Sequence, residues 1–209
     1  MPVKPFVGQE EPPLDAPIWR YMDLEKFHDL LASEELYFRR MDKFKNDDPH
    51  EGLPPNDFVR KIRRLRRYDL RDEQTLNNTQ AVNRQFSEGH YIQCWNLHEG
   101  EKLEMWRGYA PCGVAVASRY ELLRAVLDAQ IDEFHLGLVH YGKDTRQRDN
   151  VLENAFHKDY RFESERCFGC PTCSSLIIGT SMRTTFHIGS RWTMCTRCRS
   201  GYRISSGGE

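Results

Sequence analysis

The stretch Tyr160–Arg166 is the strongest single constraint in this chain. It reads Tyr-Arg-Phe-Glu-Ser-Glu-Arg. As a strand it would put Arg161, Glu163 and Glu165 on one face, with Phe162 and Ser164 on the other. Carboxylates about 7 Å apart on one face repel each other unless a cation or a hydrogen-bond donor answers them. Two readings are open. The pair is neutralised by Arg or Lys on a solvated sheet face, or it is a working acid pair in a site. Cys167, Cys170 and Cys173 follow at once, so a second chemistry abuts the first.

Five of the seven cysteines fall within Cys167–Cys198. In a cytoplasmic chain such clustering favours metal over disulfides. Cys170-Pro171-Thr172-Cys173 and Cys195-Thr196-Arg197-Cys198 are two C-x2-C pairs separated by 21 residues. Each pair can present two thiolates to one tetrahedral zinc, and four thiolates leave no open position for catalysis. Leu176-Ile177-Ile178 and Phe186-His187-Ile188 would be the strands of a zinc ribbon. Cys167 and His187 are spare ligand candidates. The alternatives are a bare reduced tail or a foreign, out-of-frame end.

Residues 1–17 hold Pro2, Pro5, Pro12, Pro13 and Pro17, which predicts a flexible leader. Ile18–Tyr21 reads as a strand. Asp23 is a candidate N-cap for a helix with Leu24, Phe27, Leu30 and Leu31 at helical spacing. Leu36–Arg39 alternates like a half-buried strand. Asp47, Asp48, His50 and Glu51 lie in a Pro-rich polar loop. Residues 57–69 look helical, and six of the eight residues from Arg60 to Arg67 are basic, either a solvated face or a phosphate contact. Residues 71–88 carry no strong signal. Strands are expected at Tyr91–Trp95, Gly113–Ala117 and Leu136–Tyr141, and a short helix or turn at Glu104–Tyr109. Ser118 with Glu121 has capping-box spacing for a helix burying Leu122, Leu123 and Val126. Asn150 with Glu153 starts another helix. Cys94 and Cys112 are expected to be buried thiols.

Several of these pieces, in their order, resemble a bacterial family, domain of unknown function 2971. The matching residues are Trp19-Arg20-Tyr21, Leu36-Tyr37-Phe38, Asp47–Glu51, Met105–Tyr109, Val139-His140-Tyr141, and Lys158 with Glu163-Ser164-Glu165-Arg166. The resemblance spans roughly residues 18–166 and implies no established activity. The chain departs from that pattern at Cys167. An aromatic-ended N-terminal strand carrying Arg20, with a late Glu-x-Glu strand, also looks like an ADP-ribosyltransferase. That likeness implies NAD as substrate and Glu163 and Glu165 as the catalytic pair. It implies Arg20 on the pyrophosphate, and Tyr21, Trp106 or Tyr109 stacking on nicotinamide.

Short strands interspersed with helices, without a repeated βαβ unit, predict an α+β fold. The expected layout is a leader over 1–17, a mixed-sheet domain over 18–166 that is ADP-ribosyltransferase-like, and a zinc-ribbon-like tail over 167–209. A net charge of −1 gives no global bias toward nucleic acid or membrane. No apolar run approaches the roughly 20 residues of a membrane span, and a cytoplasmic protein is expected. The leading expectation is transfer of ADP-ribose from NAD to a protein or nucleic acid. The alternative is a non-enzymatic nucleic-acid-binding module using the basic helix and a structural zinc on Cys170, Cys173, Cys195 and Cys198.

Overall fold

A computed structural model describes residues 3–4, 10–44, 70–141, 151–158, 174–179, 183–185, 193–197 and 203–206. In chain order these form β1 (Val3–Lys4), β2 (Pro17–Asp23), α1 (Leu24–Ser33), β3 (Glu35–Tyr37), β4 (Arg39–Arg40), a 3-10 turn (Met41–Phe44) and α2 (Leu70–Gly89). They continue with β5 (Tyr91–Leu97), α3 (Leu103–Tyr109), β6 (Gly113–Arg119), α4 (Tyr120–Asp128), β7 (Phe134–Leu138), β8 (His140–Tyr141), α5 (Val151–Ala155) and β9 (His157–Lys158). The last strands are β10 (Ser174–Gly179), β11 (Arg183–Thr185), β12 (Thr193–Arg197) and β13 (Arg203–Ser206). The fold is α+β, as expected.

Among the described residues, one large sheet runs β1-β7-β10-β5-β2-β6-β12-β13, with β4 beside β5. Its spine is the antiparallel pair β2–β6, in register from Pro17↔Arg119 to Asp23↔Gly113. Strand alternation gives the sheet two distinct faces. Ile18, Met22, Trp95, Val116, Leu136 and Ile177 pack on one with Leu30 of α1 and Tyr120, Leu123 and Leu127 of α4. Tyr21 and Ala115 meet Met105 and Trp106 of α3 on the other.

The β2–β5 seam is incomplete. It is paired only at Ile18↔Leu97 and Trp19↔Asn96. Strand β10 holds the opposite edge of β5 from Tyr91 to Asn96. The edge that β2 leaves is taken up further along by β4, at Arg39↔Ile92 and Arg40↔Tyr91. The sheet therefore forks between β2 and β4, and β5 forms the base of the fork.

Helix α1 begins as its sequence predicts, with Asp23 capping the backbone N–H of Lys26 at 2.8 Å. It ends at Glu34, whose φ of 52° is left-handed and whose N–H bonds Leu30 O. A left-handed residue at this place is usually glycine. Here Glu34 takes that strain and turns the chain sharply into β3.

Several expectations change. Val3, in the segment expected to be a flexible leader, is 2% exposed and pairs with Phe134 in a parallel ladder. Leu138 also donates its N–H to Glu10 O at 2.8 Å. The apolar run around Ile177 becomes an interior strand of the main sheet, between β5 and β7, and not a separate ribbon strand. Residues 70–89 form one long helix. Its buried side chains include the polar Asn83 and Ser87, one turn apart, so no apolar stripe announces it. Ser118 lies inside β6 and makes no cap; α4 starts at Tyr120 and buries Leu123 and Leu127, with Leu122 and Val126 only half-buried. The strand expected over Leu136–Tyr141 is two strands, β7 and β8, interrupted at Val139. Cys94 is half-buried and Cys112 exposed, so neither is a fully buried thiol.

Gly113 shows how tightly the spine is built. A Cβ there would lie 2.2 Å from Met22 O and 2.9 Å from the Ala110 Cβ. Backbone cannot yield as a flexible side chain can. Gly113→Ala is expected to destabilise the fold by about 3 kcal/mol and to lower the melting temperature by on the order of 10 °C. Thermal unfolding measures this, and an unchanged melting temperature would contradict the packing.

Candidate functional site

The fork creates a cleft. Arg20, next along β2 after the last paired residue, turns its side chain to the cleft face, and its Nη1 donates to Cys94 O at 2.7 Å. That carbonyl belongs to the part of β5 from which β2 has separated. The side chain thus takes the place of the missing strand neighbour. Arg20 is half-buried as a residue, with its guanidinium the enclosed end. Burial lowers its pKa to about 10, so it stays charged at neutral pH.

The cleft has a volume of about 610 Å³, within the span of roughly 300–1,000 Å³ common to small-molecule sites. Four carboxylates line it, Asp23, Glu25, Asp29 and Glu35, against two cations, Arg20 and Lys26. Its wall is fixed by Gln93. The Gln93 amide donates to Tyr37 O at 2.9 Å, and its oxygen accepts from the Trp95 indole at 2.8 Å. Together these bonds orient the amide and tie β3 to β5. Burial works against the Asp23 carboxylate, but hydrogen bonds from the Lys26 side chain and backbone outweigh it and hold its pKa below the usual value. Tyr37 is the aromatic residue that lines the cleft, and it is exposed.

The residues expected around a nicotinamide cofactor do not lie together. Arg20 and Tyr21 are neighbours on β2 and face opposite sides of the sheet. Tyr21 packs edge-on against Trp106, with ring centroids 5.2 Å apart at 85°. Both rings are buried, and neither offers a free face to the Arg20 cleft. Tyr109 is exposed at the end of α3. Glu163 and Glu165 lie outside the described residues, as do Cys170, Cys173, Cys198, the acidic loop 47–51 and the basic run Arg60–Arg67. Cys195 falls in β12, its backbone paired with Ala115 and Ser205. Cys195–Arg197 therefore runs extended, whereas a C-x2-C zinc pair needs a turn.

His98 had no assigned role in the sequence. It is 8% exposed and stacks on Trp19, with centroids 5.5 Å apart at 16°. The Trp19 indole donates to His98 O at 2.9 Å. Its Nε2 lies 3.5 Å from the Tyr21 hydroxyl. Burial first, and the neighbouring Lys102 charge second, bring the ring's pKa down to about 4, with the Gly100 backbone opposing them. Its ring neighbours, Trp19 and Tyr21, could be read as an aromatic strand, but no sequence signal pointed to residue 98.

Among the described residues no helix is long and apolar enough to cross a membrane. No family model, curated protein or solved structure matches the chain.

The depressed His98 pKa has a definite consequence. Between about pH 6.5 and 4 the unfolded ring takes a proton that the folded ring refuses. The unfolded state then binds more protons, so stability is full above pH 6.5 and falls as pH drops through this window. At 1.36 kcal/mol per pKa unit, the loss amounts to roughly 3 kcal/mol. His98→Gln is expected to remove that part of the acid sensitivity. An NMR titration of the native ring with a midpoint near 6.5 would contradict the assignment.

Proposed function

We propose that the protein is an NAD-dependent ADP-ribosyltransferase-like enzyme acting on a protein or nucleic acid. The observation that carries this reading is the fork cleft, with an enclosed guanidinium at its base and an excess of carboxylates around it. A guanidinium has five N–H donors, and only the bond to Cys94 O engages Arg20 in the described structure. The remaining donors suit a pyrophosphate, which arginine binds through forked contacts. The carboxylates suit the other half of the substrate, where ribose hydroxyls donate hydrogen bonds and the nicotinamide ring is cationic. Tyr37, which lines the cleft, takes the stacking role that Tyr21 and Trp106 cannot fill from the opposite face.

In the reaction, the bond from ribose C1′ to the nicotinamide nitrogen breaks, and its electron pair leaves with neutral nicotinamide. The ribose develops oxocarbenium-like positive charge. A fixed anion beside that charge lowers the barrier, and Glu165 has that role in this reading. The acceptor's nucleophilic atom then bonds C1′ and gives its proton to Glu163 as general base. The resemblance to domain of unknown function 2971 adds order of motifs and no activity.

Nicotinamide release by the purified chain tests the reading. Glu165→Gln is expected to abolish release while the fold survives, because the swap keeps size and removes charge. Glu163→Gln should reduce transfer to an acceptor more than it reduces NAD cleavage. Arg20→Ala should weaken NAD binding about tenfold or more. Absence of release under any condition, with no NAD binding by calorimetry, would remove the enzyme reading. A salt-dependent nucleic-acid affinity without NAD consumption would instead select the module reading, in which Arg60–Arg67 contacts phosphate.

A structural zinc in the tail is a separate part of the proposal, carried by the two C-x2-C pairs. About one zinc per chain is expected on Cys170, Cys173, Cys195 and Cys198, and it should be lost when Cys173 and Cys195 are both changed to Ser. Metal analysis well below one zinc per chain would agree with the extended path of Cys195–Arg197 and dismiss the site.

A further inference from the structure

On the sheet face opposite the cleft, three buried polar atoms around Tyr21 have no hydrogen-bond partner. They are His98 Nδ1, Lys102 Nζ and Trp106 Nε1. Buried donors left unsatisfied in this way are uncommon and each needs an explanation. Three of them in one neighbourhood need a common one.

Their proximity follows from several contacts. The backbone N–H of Lys102 donates to the Tyr21 hydroxyl at 3.2 Å. That hydroxyl lies 3.5 Å from His98 Nε2. Trp106 donates its backbone N–H to Lys102 O at 3.2 Å, which sets the two residues one turn apart. The Trp106 ring meets Tyr21 edge-on. Burial first, and the Lys102 charge second, disfavour protonation of the His98 ring, so that charge lies near the ring. The Gly100 backbone lies close enough to the His98 ring to favour its protonated form, yet Nδ1 has no hydrogen-bond partner.

An indole N–H and an ammonium can only donate hydrogen bonds. Neutral imidazole can donate from Nδ1 when Nε2 accepts, and the Tyr21 hydroxyl is placed to donate to Nε2. The set therefore calls for an acceptor, and the Lys102 ammonium favours one with negative charge. No ion pair to Lys102 occurs among the described residues. Trp19, Tyr21 and the His98 ring supply flat, apolar walls. We propose that His98, Lys102 and Trp106 form a binding site for the anionic oxygen group of a small ligand, a carboxylate or a phosphate. This site is independent of the Arg20 cleft and does not rest on NAD chemistry.

The test follows the Trp106 indole N–H and the His98 ring by NMR in the full chain, titrated with inorganic phosphate or acetate against chloride at matched ionic strength. A saturable shift of both signals is expected with at least one anion. Response to phosphate alone assigns the ligand class as phosphate, and response to acetate alone as carboxylate. Lys102→Met should weaken the response by about tenfold or more. Trp106→Phe keeps a ring and removes only the donor, and it should weaken binding even if Lys102→Met fails to fold. No saturable shift with either anion, or an undiminished response of the His98 ring in folded variants, would overturn the site.

Discussion

One hydrogen bond organises the cleft side of the sheet, that from Arg20 to the carbonyl of Cys94. A sheet cannot simply part, because each strand edge it exposes carries backbone groups that need partners. Strand β2 stays locked to β6 along its whole length while leaving β5 after two pairs. The guanidinium supplies a donor where the strand would have supplied one. Strand β4 repairs the next part of the edge, and the Gln93 amide ties the return strand β3 to β5. The cleft exists because these substitutions let the sheet open without leaving β5 unpartnered.

The same strand generates chemistry of opposite character on its two faces. Arg20 points into a polar cleft with excess carboxylates. Trp19 and Tyr21 point into a stack with His98 and Trp106. Alternation every residue is enough to separate these environments by the thickness of one sheet. A hydrated cleft can carry several carboxylates without burying them. The aromatic side is drier, and burial there is the first cause of the low His98 pKa.

What could be read from the sequence follows from the kind of side chain each element buries. Helix α1 was legible because Asp23 caps it and Leu30 buries on an apolar stripe. Helix α2 was not, because Asn83 and Ser87 occupy its inward positions. Asn154 Nδ2 meets Asn83 Oδ1 there at 3.2 Å, and a polar pair of this kind leaves no periodic signal. Val3 is buried within a proline-rich segment whose composition suggested a leader. The cysteine spacing drew Leu176–Ile178 toward a ribbon, although an apolar run of that length fits equally well between two strands of a larger sheet. At the site, Arg20 was legible as a charged residue on an early strand. Its separation from Tyr21 follows from strand alternation, which the grouping of both residues around one cofactor overlooked. His98 depends on a loop bringing a residue back over Trp19, which no local pattern encodes.

The fork also explains why its base requires arginine. The position encloses a cation against a single neutral carbonyl, with no carboxylate bonded to it among the described residues. Desolvation there disfavours charge, and it brings Arg20 down to about 10. Lysine begins lower, at roughly 10.4 in water, so the same enclosure would leave it less margin above neutral pH. It would also offer a point charge where the geometry needs one donor for Cys94 O and others for the cleft. Arginine keeps its charge and divides its planar fork between the two tasks. The residue that closes the strand gap can therefore also face a ligand.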